Sequence, residues 1–150
     1  MSTPRLRPNS KNRLSQPATK MLPYTEYGPA ALGFLFLPEE LDLLALDRNP
    51  HYRTLKQMES PDTDTLLTMF SIQRDMVDCL CSDISTVWPN AYICIVKPPK
   101  SRMSEYAVAL ANNTHPEHSK IPTAGQIIEI HKLLKCSEKK ATWYTDDNNV

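Results

Sequence analysis

No glycine or proline interrupts the chain between Pro61 and Pro89, and the uninterrupted stretch DTDTLLTMFSIQRDMVDCLCSDISTVW limits what can be built around it. Ser60 is placed to accept a hydrogen bond from a free backbone N–H of a first helical turn. Pro61 suits the first helical position, and Asp62 and Asp64 set negative charge at the positive end of the helix dipole. Pro89 ends the run. Leu66, Phe70, Val77, Leu80, Ile84 and Val87 recur at helical spacing, with only Gln73 breaking the row, so the stretch predicts a helix with one apolar face. At about 1.5 Å per residue it is roughly 40 Å long, the width of a small domain or more. Such a helix is a scaffold for one core, or for a core shared with a second chain.

The rest of the chain is short of the residue that sharp turns need. Three glycines in 150 residues is about 2%, against roughly 7% in average usage. Phosphate-cradling loops, dinucleotide turns and nucleophile elbows need glycine at fixed offsets, and Gly28, Gly33 and Gly125 supply none of those patterns. Thirteen prolines point instead to stiff connections and extended tails. Cys79, Cys81, Cys94 and Cys136 sit in apolar helix or strand patterns with no secretory signal before them, which reads as buried thiols in a reducing compartment. The longest mostly apolar run, Ala30 to Leu37, is too short to span a bilayer. The expectation is a soluble intracellular protein, cytoplasmic or nuclear, with no membrane partner.

Charge is uneven although the total is zero. Residues 1–25 hold Arg5, Arg7, Lys11, Arg13 and Lys20 with no acid, which leaves 12 basic and 17 acidic residues for the remainder. Prolines at 4, 8, 17 and 23 among Ser, Thr and Asn predict a disordered basic arm over 1–25. The composition also resembles a mitochondrial presequence, but those prolines interrupt the amphipathic helix that a presequence needs.

Beyond the arm, Tyr24 to Leu37 reads as an aromatic-rich arm, and Pro38 opens a short helix that stops at Asn49-Pro50. The segment FLFLPEELDLL resembles the opening of an F-box, whose first helix grips an adaptor. About a dozen residues match, and the later half of that pattern is absent between His51 and Glu59. After Pro89, Ala91–Lys97 reads as a strand buried on both faces. Glu105–Ala111 is a second strand, antiparallel to the first, or a helical turn. Thr123 and Gln126 have the spacing of a capping box at the start of a final helix. Ala141–Thr145 suggests a short edge strand. The organisation expected is one α+β domain over 26–145, a long central helix with flanking helices packed on a small antiparallel sheet, and a frayed tail over 146–150.

Chemistry-bearing constellations are few. His115 and His118, with Glu117 between them, are the best metal candidates, but a zinc site needs three or four ligands. Cys79 and Cys81 are two apart on a helix and diverge by about 200°. No cysteine has a cationic neighbour that would make it a nucleophile, and carboxylate pairs such as Asp62/Asp64 are explained by capping. His131, on an apolar helix side, reads as a hydrogen-bonded core residue. No catalytic residue, metal or cofactor is therefore assigned. The expected function is a non-catalytic protein–protein interaction or structural module, self-associating through Phe70, Met76, Val77, Leu80, Ile84, Val87 and Trp88 of the central helix. Methionines adapt to imperfect partners, and tryptophan is a frequent interface anchor. The alternative is a nucleic-acid-binding protein whose arm neutralises phosphates through Arg5, Arg7, Lys11, Arg13 and Lys20. An enzyme with an unfamiliar site is the third reading.

Overall fold

A computed structural model describes residues 20–99, 103–134 and 139–147. Arg5, Arg7, Lys11, Arg13 and Cys136 lie outside the described residues, and so does most of the expected arm. The described chain runs α1 (Tyr24–Tyr27), β1 (Ala30–Phe36), α2 (Pro38–Arg48), α3 (Pro50–Lys56), α4 (Thr63–Ser85), β2 (Tyr92–Lys97), β3 (Glu105–Asn112), a 3-10 turn (Pro116–His118), α5 (Ala124–Leu134) and β4 (Thr142–Asp146). It is an α+β fold in which the long helix α4 and its flanking helices pack on an antiparallel sheet.

The sheet closes on itself in the order β1-β3-β2-β4, with β4 pairing both to β2 and back to β1. Cross-strand rows show how the ring divides its side chains. Leu35, Ala107 and Cys94 are register partners on one face, and Phe34, Val108 and Ile93 on the other. The first face contributes Ala31, Cys94, Val96, Ala107 and Ala109 to a cluster of its own. A four-stranded ring is far narrower than the eight-stranded barrels that just accommodate packed side chains, so its filling must be small. The second face carries Phe34, Phe36, Val108 and Leu110 into the main core with α2, α3, α4 and α5. At the other end of the sheet, Leu22, Ala30, Leu32, Ala111 and Trp143 form a third cluster.

Register slips by one residue between Leu32 and Gly33, leaving Leu110 of β3 without a partner on β1. The Leu110 carbonyl instead accepts the indole N–H of Trp88 at 2.7 Å, which ties the end of α4 to the sheet. This is a bulge, with the ladder bond replaced by a side-chain bond.

Several local expectations need correction. The stretch Tyr24–Leu37 is no arm, because β1 lies within it and every residue of that strand except Leu35 is buried. Its alanines and glycine have low strand propensity, and the pairing on both sides overrides it. The packed part of the chain reaches back to Lys20, since Leu22 is 4% exposed. The long helix begins later than Ser60: Asp62 is its cap, accepting from the Thr65 N–H at 2.8 Å. In β2, Cys94 and Val96 are buried on one face, while on the other Ile93 packs against the main core and Ile95 is exposed, so the cover of that second face stops part-way along the strand. The Ala141–Thr145 segment forms a closing strand between two others, with Trp143 fully buried, and is no edge. The final helix starts with the expected reciprocal pair: the Thr123 N–H donates to Gln126 Oε1 at 2.9 Å, and the Gln126 N–H to Thr123 Oγ1 at 3.2 Å.

Candidate functional site

The long helix is buried along a stripe that turns part-way. Its buried residues are first Met69, Ile72 and Met76, and from Val77 onward Val77, Leu80 and Ile84. At 100° per residue the second set continues the side on which Leu66 and Phe70 lie. The cover on that side ends near Arg74, whose guanidinium lies 5.0 Å from the centre of the Tyr106 ring and bonds Asp78 at 2.9 Å. N-terminal to Arg74, Leu66, Leu67 and Phe70 are left at 39%, 59% and 60% exposure.

The helix that holds them is well anchored. Gln73 donates to the hydroxyl of the buried Tyr52 at 2.8 Å, and that hydroxyl donates to Asp42. Asp42 also accepts from Lys56 at 2.8 Å. Burial alone pushes the Asp42 carboxyl up, but the bonds from Lys56 and Tyr52 and the Lys56 charge outweigh it and hold it below the usual carboxylate range. Burial, reinforced by the Asp42 bond, raises the Tyr52 phenol.

Of the seven residues expected to form an interface, Met76, Val77, Leu80 and Ile84 are buried in the chain's own core. Val87 and Trp88 are half-covered against that core, and Phe70 alone is exposed. Leu67 falls outside the apolar row of the sequence. Among the basic residues of the expected arm, Lys20 is described and exposed.

A second feature lies beside the loop after β3. Two adjoining hollows of about 340 and 500 Å³ share Tyr24, Asn113, Thr114 and His115 in their walls. Asn112 and Asn113 build the floor. The Asn112 side chain donates to the Tyr92 hydroxyl at 2.7 Å and accepts from the N–H groups of Thr114 and His115. The Asn113 side chain accepts from the Ala30 N–H at 2.8 Å and donates to the carbonyls of Gly28 and Leu22. His115 Nδ1 and the Thr114 hydroxyl are 2.9 Å apart, and His118 stacks on Tyr92 with ring centres 4.6 Å apart. The His115 ring is engaged within the loop, whereas His118 Nδ1 is buried with no hydrogen-bond partner, and among the described residues no three His, Cys, Asp or Glu side chains gather as metal ligands.

Burial pushes the Cys94 thiol up to about 12, and burial also raises Cys81, which keeps both protonated. His131 is the expected core histidine, with Nε2 2.7 Å from the Lys139 carbonyl and its ring edge-on to Phe34. No described helix is long and apolar enough to cross a membrane. The chain matches no family model, no curated protein and no solved structure at a significant level.

Proposed function

We propose that the protein is a non-catalytic interaction module that docks a protein partner on the exposed side of α4, the simplest partner being a second copy of the same chain. The observation that carries this reading is the cluster of Leu66, Leu67 and Phe70, three large apolar side chains left uncovered on a helix that is otherwise fixed to the core. Single exposed leucines are ordinary on protein surfaces, but an aromatic flanked by two leucines on one rigid turn is the composition of an interface anchor. Nucleic acid fits this surface poorly, because α4 and its cap carry Asp62, Asp64, Asp75, Asp78 and Asp83 against one cation, Arg74.

Light scattering of the full chain over a range of concentrations, with Phe70→Glu beside the wild type, tests the reading. A dimer that Phe70→Glu converts to a folded monomer supports it. A wild-type monomer at every concentration removes self-association, and a dimer indifferent to Phe70→Glu removes this side of the helix.

A further inference from the structure

The α4 side has a charge requirement as well as an apolar one. Asp62 is occupied at the helix cap, and Arg74 is committed to Asp78 and Tyr106. Asp64 and Asp75 are exposed and have no ion-pair partner among the described residues. Two copies joined α4 to α4 would set these acids against one another, which is destabilising at close range. Whatever seats on Leu67 and Phe70 must therefore bring positive charge with its apolar groups.

Two parts of this chain combine those properties. Helix α5 exposes Ile128 and Leu133 beside Lys132, but Lys132 is paired with Glu129 at 3.0 Å, and Lys139 beyond it with Glu40 at 2.6 Å. The other is residues 1–19, which contain Arg5, Leu6, Arg7, Lys11, Arg13 and Leu14 and no acid. The structure fixes where that segment leaves the body. The Lys20 carbonyl accepts the Trp143 indole N–H at 3.1 Å, and Leu22 is buried with Ala30, Leu32, Ala111 and Trp143. The buried residues of that cluster are distinct from those of the core holding α4, and Ala141 packs against both. Nineteen residues extend to at most roughly 60 Å, enough to reach across to a neighbouring copy.

We propose that residues 1–19 of one copy seat on the α4 side of a second, bringing their Arg and Lys groups opposite Asp64 and Asp75 and an apolar side chain to Leu67 and Phe70. The exchange is reciprocal, so both surfaces are used twice and the assembly closes as a twofold dimer. This inference rests on the reading of the α4 side as a docking surface.

The test uses the full chain at low ionic strength, where surface charge is least screened. Light scattering gives the dimer dissociation constant for the wild type, for an arm variant (R5E, R7E, K11E and R13E together), for a helix variant (D64K with D75K), and for the combination. Each charge reversal alone is expected to raise the dissociation constant about tenfold or more, and the combination to restore it to within about threefold of wild type. Circular dichroism and melting confirm that each variant is folded. A dissociation constant unmoved by the arm variant, or a combination that is worse than either parent, overturns the arm as occupant. If Phe70→Glu still dissociates that dimer, the α4 reading stands with another element seated on it. A wild-type monomer ends the exchange and self-association through α4, and a dimer that also ignores Phe70→Glu ends both the exchange and the α4 reading.

Discussion

The backbone of Val108 lies so close to Gly33 that a Cβ at position 33 would stand 2.3 Å from the Val108 carbonyl oxygen and 2.9 Å from the Ala109 Cα. The obstacle is backbone on a paired strand, so it cannot rotate aside. Gly33→Ala must push β1 and β3 apart at the bulge, and is expected to cost about 3 kcal/mol, the upper end for inserting a methyl into a packed interior. The midpoint of urea unfolding measures it, and a loss below 1 kcal/mol contradicts the close approach.

Asn113 is expected to tolerate Asp less well than Ala. In the wild type its amide nitrogen faces the carbonyls of Gly28 and Leu22, and its oxygen accepts from the Ala30 N–H. Asn113→Ala leaves these groups unpaired, at about 1–3 kcal/mol. Asn113→Asp sets an anion against two carbonyl oxygens as well. Its penalty should shrink as pH falls through the carboxyl's titration, because the protonated acid can donate again. Denaturation of both variants at pH 7 and pH 4 distinguishes the two costs.

Phe70→Glu and Leu80→Glu separate the surface of α4 from its core. Phe70 is 60% exposed and Leu80 is 6% exposed. A glutamate at 70 is solvated and should leave the melting temperature nearly unchanged. At position 80 the carboxylate is buried without a partner and should abolish folding at neutral pH. Equal melting of the two variants would refute the assignment of the two sides.

Thiol chemistry should follow burial. Cys79 is exposed and Cys94 is 2% exposed. An aromatic disulfide reagent at pH 8, with the modified sites mapped by mass spectrometry, should label Cys79 at least about a hundredfold faster than Cys94 until denaturant is added. Comparable rates would mean that the ring opens readily.

Stability should decline on the alkaline side. Burial raises Cys94 from an ordinary 9.0 to about 12 and Tyr92 from 10.0 to about 12, so the folded chain keeps protons that the unfolded chain gives up first. The contribution is complete below about pH 9 and disappears as pH rises to about 12. Cys94→Ala removes the thiol's share, and its plot of melting temperature against pH should be shallower in that window.

Helical periodicity and capping were the most legible parts of this sequence. Thr123 and Gln126 announced α5, and the run between two prolines announced α4, to within a few residues. The sheet was half legible. Ala91–Lys97 reads as a strand from the sequence alone, and β2 lies within it. The strand AALGFLF was missed because its residues are chosen for the narrow ring and the close approach at Gly33, and such residues resemble a loop or a helix when read alone. The surface of α4 is illegible for a different reason. Leu66, Phe70, Val77 and Ile84 lie on one side of the helix, and periodicity reports that side without reporting where the neighbouring elements stop. The end of the cover at Arg74 depends on Tyr106, which is supplied from a distant strand.

The pairing of β1 with β4 joins positions 30–33 to 142–145. During synthesis the N-terminal part of a chain appears first, so β1 leaves the ribosome long before the strand that covers its second edge. Until β4 is made, β1 and β2 each keep a row of open backbone groups available to other nascent chains. Trp143, the largest fully buried side chain among the described residues, arrives with that strand. A chain cut before position 142 would therefore retain all of α4 and α5 but have an open sheet, a natural substrate for chaperones and proteases.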